Sequence, residues 1–191
     1  GTTVGIGIAL NIADMENTAT VGAGSTVTAE GFKAEALMKD VDGDKTHKFA
    51  AKATSGASGG DTGVAGSFAL NYSEATTEAS VPATVTVNAG TGDVVLKAEN
   101  SSEAEVEAKA SAKSGSTGVG VSVGLNIATN NDTHAVIDGT LNGGNDVTLT
   151  ATGSHVVNTT AEGGGAATAG TGVGGALAIT VADNVTEARL S

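Results

Sequence analysis

Val119-Gly-Val-Ser-Val-Gly-Leu-Asn-Ile-Ala128 has three relatives within the same chain: Val4-Gly-Ile-Gly-Ile-Ala-Leu-Asn-Ile-Ala13, Val64-Ala-Gly-Ser-Phe-Ala-Leu-Asn-Tyr-Ser73 and Val173-Gly-Gly-Ala-Leu-Ala-Ile-Thr-Val-Ala182. Val64 follows Val4 by 60 positions, Val119 follows Val64 by 55, and Val173 follows Val119 by 54. The match extends outward from each block. Thr62-Gly-Val64, Thr117-Gly-Val119 and Thr171-Gly-Val173 agree upstream, and Asn17-Thr-Ala19, Thr77-Glu-Ala79, Thr133-His-Ala135 and Thr186-Glu-Ala188 agree downstream. Self-similarity over so long a period marks a chain that winds about an axis, each unit burying a face against its neighbours.

Inside each unit, apolar and polar residues alternate with the period of two that a strand requires. The alternation breaks at Gly22-Ala-Gly24, Asn88-Ala-Gly90-Thr-Gly92, Asn142-Gly-Gly144-Asn and Gly163-Gly-Gly165, residues suited to bends. Three breaks per unit predict three coils per long repeat, with about eighteen residues in each. The fold expected is all-β, a single-stranded right-handed parallel β-helix, or β-solenoid. Ten to eleven coils stacked at about 4.8 Å would make a rod of about 50 Å. The long repeats run near 4–63, 64–118, 119–172 and 173–191, in one solenoid segment expected to be a piece of a much longer repetitive protein.

Glu103-Ala-Glu-Val-Glu-Ala-Lys-Ala-Ser-Ala-Lys113 tests this reading, because Ala, Glu and Lys favour helices. A helix would spread Ala104, Val106, Ala108, Ala110 and Ala112 around its cylinder. A strand puts them on one face with Glu103, Glu105, Glu107 and Lys109 opposite, so a strand is expected. Asn11, Asn71 and Asn126 recur in register, with Thr180 in the fourth unit, and predict a ladder pointing inward or lying at a corner. Val121 is expected to point inward too, so that Val121→Asp would unfold the chain, while Glu105→Gln would be silent.

The 191 residues include 29 Gly, one Pro, no Cys, no Trp, one Tyr and three Phe. With so few large anchors, the core is expected to be built from Val, Ile, Leu, Ala and Thr, stacked in a regular way that lets small side chains pack without voids. A hydrophobic fraction of 39% arranged in alternating patterns favours folding over disorder. The net charge of −12 and the single arginine, Arg189, argue against nucleic acid or anionic lipid as partners. Absence of cysteine excludes thiol catalysis, thiolate zinc and disulfides. No run approaches the roughly eighteen apolar residues of a membrane span, so direct membrane insertion is not expected.

The sharpest chemical signal is Asp40-Val-Asp42-Gly-Asp44, in the longest unit. Carboxylates at i, i+2 and i+4 imitate the opening of a calcium loop. Lys45 stands where that loop needs Gly, and Ala51 where it needs a bidentate Glu, so a solvated acidic loop is the stronger expectation and Asp40, Asp42 and Asp44 remain the candidate calcium ligands. Gly170-x-Gly172-x-x-Gly175 matches a dinucleotide fingerprint only as a string, since no helix pattern follows. His47, His134 and His155 fall at unrelated points of the repeat, and His134 aligns with Glu78 and Glu187, an outward position. Thr26/Thr28, Thr84/Thr86 and Thr148/Thr150 are ordinary strand residues rather than an ice-binding array. No catalytic residues are expected. The enzymatic alternative is a polysaccharide lyase or glycosidase, which would need carboxylates such as those at 103–107 gathered in a groove with basic and aromatic residues.

Units of the form Val-Gly-x-x-x-Ala/Gly-Leu-Asn-x-Ala, followed by Thr-x-Ala-x-Val and by Val-Thr-x-Thr-Ala-like strands, resemble the passenger repeats of bacterial adhesins of the filamentous haemagglutinin and autotransporter type. The resemblance covers nearly the whole chain, but its motifs are degenerate. It implies a secreted or surface-displayed stalk on an outer-membrane-anchored parent. The partners it implies are a host surface protein, a glycan or other copies of the chain.

Overall fold

A computed structural model describes residues 1–191, and the chain is β throughout. One parallel sheet contains β1 (Thr2–Thr20), β5 (Thr62–Val81), β8 (Thr117–Ile137) and β11 (Thr171–Leu190), in that spatial order. A second contains β3 (Phe32–Ala36) and β4 (His47–Ser58), which together flank β7 (Val94–Ser114), with β10 (Val147–Ala167) on its other side. The short strands β2 (Thr26–Thr28), β6 (Thr86–Asn88) and β9 (Thr140–Asn142) form a third sheet at one corner. All ladders between these strands are parallel, as in a β-solenoid.

The register gives the size of a lap. Val4 lies beside Val64, Val64 beside Val119, and Val119 beside Val173. One lap therefore consumes a whole long repeat, which corrects the expected coil of about eighteen residues and the stack of ten to eleven coils. A length near eighteen belongs instead to one long side of a lap, the sides β1, β5 and β7 having 19, 20 and 21 residues. The error has a physical source: Gly163-Gly-Gly165 lies inside β10 and does not bend it. The result is a broad slab in place of a 50 Å rod. Each long strand spans about 65 Å, while the four strands of a sheet stack only about 15 Å high.

Genuine corners lie at Pro82–Val85 and Ala89–Asp93, where the chain leaves one long strand, makes the three residues of β6 and enters the next. Gly90 adopts φ 58 there, and its carbonyl accepts the N–H of Gly144 from the following lap. That backbone is left-handed, so glycine avoids the Cβ clash. The acidic 37–46 segment bulges out between β3 and β4, where β7 and β10 run unbroken.

The interior is a wedge. At the three-sheet corner it holds Val81, Val85, Val87, Val94, Leu96 and Ile137. Midway along the slab it narrows to Ala51, Ala53, Ala69, Val106 and Ala108, and then to Ala57, Ala65, Ala110 and Ala112. At the thin end the sheets touch backbone to backbone, so that a Cβ on Gly120 would overlap the Gly164 carbonyl. The residue volumes thus follow the gap between the sheets, which is how close packing is reached with almost no aromatic residues.

The strand expected over 103–113 is present as part of β7, with Ala104, Val106, Ala108, Ala110 and Ala112 buried. The asparagine ladder points inward. Asn11 Nδ2 donates to Asn71 Oδ1 at 2.6 Å, and Asn71 Nδ2 donates to Asn126 Oδ1 at 2.9 Å. Asn126 Nδ2 then closes the ladder on the Ala104 and Asn158 carbonyls across the core. Thr180, the fourth member, meets Thr159 at 2.6 Å. Asn71→Ala would leave buried groups of its neighbours unpaired, each costing about 1–3 kcal/mol. A loss of about 2–3 kcal/mol in urea unfolding is expected, and a change below about 0.5 kcal/mol would show that the ladder is not holding the laps together.

Val121 corrects the inside/outside assignment. It is 47% exposed and points away from the core, while Asn126 is fully buried. Residues 121 and 126 have opposite parity in one strand, so they cannot share a face. The interior parity belongs to Gly118, Gly120, Ser122, Gly124 and Asn126, the small residues that fit a thin wedge.

Candidate functional site: two opposed outer faces

The inward parity of the β1 sheet is taken by small residues, so its large side chains face out. In β1 these are Val4, Ile6, Ile8, Leu10 and Ile12, and in-register partners from β5, β8 and β11 extend each position into a column. The middle column is Ile8, Phe68, Val123 and Leu177, and the next is Leu10, Leu70, Leu125 and Ile179. Glycine interrupts the array only at Gly66 and Gly175, in the column of Ile6 and Val121. Ile6 and Ile12 are each 76% exposed. The apolar block fills the N-terminal half of these strands. The C-terminal half turns acidic with Asp14, Glu16, Glu74 and Glu78, followed by His134 beside Glu187.

Tyr72 lies at the border between these halves. Its hydroxyl donates to Glu74 Oε1 at 2.5 Å, and this bond holds the phenol above its ordinary pKa.

The opposite outer face, on the β7 sheet, is charged. Lys52 pairs with Glu105 at 2.7 Å, and Lys109 pairs with Glu107 at 2.7 Å and with Glu162 at 3.6 Å. Hydrogen bonding to Glu105 raises the Lys52 pKa, and bonding to Lys109 lowers that of Glu107. These side chains lie open to water, where such pairs contribute little to stability and mainly keep the face wetted. The carboxylates of residues 103–107 therefore stand on a flat surface. The phenylalanines lie elsewhere: Phe49 is in the core, Phe32 packs against the corner cluster and Phe68 belongs to the apolar face.

Asp40, Asp42 and Asp44 share a tight turn closed by paired backbone bonds between Val41 and Asp44, with Asp42 at φ 54 and Gly43 at φ 86. The Asp40 carboxylate accepts the Gly43 N–H at 2.8 Å. That of Asp44 accepts the Thr46 N–H at 2.8 Å and the Lys48 ammonium at 2.6 Å. The Lys48 bond holds Asp44 below its ordinary pKa. No group of three Asp, Glu or His side chains in the chain, this turn included, is placed to hold a metal ion. Of Gly170, Gly172 and Gly175, the first precedes β11 and the others lie within it, with no helix following.

The histidines remain apart. His134 sits in the outer column between Glu78 and Glu187. His155 is turned toward the core, where Ser102 Oγ lies 2.8 Å from its Nδ1 while its Nε2 has no partner. Burial lowers its pKa below the ordinary 6.5, partly countered by Asp132. A base with a depressed folded-state pKa contributes stability above the unfolded value and loses it as the pH falls. The melting temperature should therefore decline as the pH drops below 6.5, and less steeply in His155→Gln; identical slopes would remove His155 from the cause.

Taken together, these features define the molecule as a flattened parallel β-solenoid with one greasy and one charged broad face. No family model, curated protein or solved structure matches this chain.

Proposed function

We propose that the chain is a structural and adhesive stalk segment of a secreted or surface-displayed bacterial adhesin, attaching to host protein or glycan or to copies of itself. The observation that carries this reading is the register, in which each lap repeats the one before it, residue for residue, along β5 and β8 from Thr62 beside Thr117 to Glu74 beside Thr129. Such a ladder sets no limit to the number of laps and suits a spacer of any length. The broad faces supply area for contact, and the resemblance of the repeats to haemagglutinin-type passengers implies export.

Beads coated with the 191-residue chain should adhere to extracellular-matrix proteins or to members of a glycan array, or clump with one another. Turnover of acidic or neutral polysaccharides without adherence would overturn the proposal in favour of a carbohydrate-active enzyme.

A further inference from the structure

We infer that the apolar outer face of the β1–β5–β8–β11 sheet is a docking surface for a second copy of the chain, packed face to face with strands antiparallel. This deepens the stalk reading by naming one partner and the surface that takes it.

Five outward positions along four adjacent strands cover about 600 Å², from a rise of about 3.3 Å per residue and a strand spacing of about 4.8 Å. That matches the largest patches borne by soluble monomers, roughly 300–600 Å². It also approaches the ~800 Å² per partner of a stable interface. The surface suits a sheet better than a lipid bilayer, because Asp14, Glu16 and Glu74 border it and the chain carries a net charge of −12. The residues run in straight ladders, so the ridges of one copy meet equivalent ridges on another. Sheet-on-sheet packing brings such faces to about 10 Å with their side chains interleaved.

Charge selects the orientation. The apolar block lies at the N-terminal half of the strands and the acids at the C-terminal half. A two-fold axis parallel to the stacking direction, through the column of Ile8, Phe68 and Val123, lays block upon block and carries the two acidic ends to opposite sides. An axis along the strands would press acid against acid, which costs binding energy.

Sedimentation velocity should find a particle of twice 18.2 kDa that dissociates on dilution. Val123→Asp, in the middle column, should be monomeric with an unchanged β-type circular dichroism spectrum. Glu105→Gln, on the charged face, should remain dimeric. Should Val123→Asp lose its fold, Val121→Asp serves the same purpose, because Val121 is half exposed. A monomeric wild type, or a dimer indifferent to both aspartates, would overturn the inference; the second result would also place self-association elsewhere, such as at the open solenoid edges. The chain has no cysteine, so a nitroxide on Glu78→Cys reports one distance. The two labels should lie about 65 Å apart, from the strand rise, and a separation below about 30 Å would refute the antiparallel arrangement. A monomer whose beads still adhere would end the pairing and leave the stalk reading standing, whereas a dimer whose beads neither adhere nor clump would do the reverse.

Discussion

Val106→Asp is expected to abolish folding, whereas Val121→Asp, in the neighbouring sheet, is expected to leave the melting temperature almost unchanged when both chains are compared at a dilution where the wild type is monomeric. Val106 is fully buried among Ala51, Ala53, Ala69 and Ala108. An isolated carboxylate there would cost several kcal/mol even after relaxation, against a total stability of about 5–15 kcal/mol for a typical domain. Val121 projects outward and is 47% exposed, so its replacement removes a β-branched residue from a surface at a cost below about 1 kcal/mol. Circular dichroism melts of the two variants give the answer. A cooperative melt near the wild-type temperature for Val106→Asp would mean that the wedge is not the core, and loss of fold in Val121→Asp would restore the opposite assignment.

The second large effect belongs to glycine at the thin end. Gly120→Val should destabilise by about 3 kcal/mol or more, beyond the usual range of about 1–3 kcal/mol for overpacking. The new Cβ would overlap the carbonyl of Gly164, a backbone atom that no rotamer change can move aside. The surrounding strands are constrained as well, because Cβ atoms on Gly118 and Gly165 would also overlap facing backbone. Gly66→Val is the internal comparison. A Cβ on Gly66 meets nothing within 4 Å, and the position lies between Ile6 and Val121 on the outer face. Filling it should stabilise by about 0.5–1 kcal/mol, since glycine within a strand carries an entropic cost and packs nothing. Urea unfolding of both variants gives the comparison, and equal effects would mean that the sheets do not close to backbone contact.

Much of the architecture was legible in the residues. The alternation over 103–113 outweighed the helix propensity of Ala, Glu and Lys because period decides which face can be buried. The recurrence of Asn11, Asn71 and Asn126 located a ladder, since an amide stacked on its own kind satisfies donor and acceptor together. Lap length is not legible in the residues, because Gly163, Gly164 and Gly165 have the composition of a bend and the role of a close approach. The candidate surface was missed for a related reason. Hydrophobicity alone sends Val and Ile to the interior, although the inward Asn126 shares its parity with Gly118, Gly120, Ser122 and Gly124 and not with Val121. That shared parity was the available signal.

By itself, the order of residues determined that the chain would be β, that equivalent positions of successive repeats would stack, and that asparagines would form a ladder. These follow from local period and repeated identity, which act before any two sheets meet. Only the tertiary structure decided how many residues close a lap and which parity faces inward. Both depend on the distance between the two broad sheets, and where that gap is too thin for valine, the small residues go inside and the large ones are left on the surface.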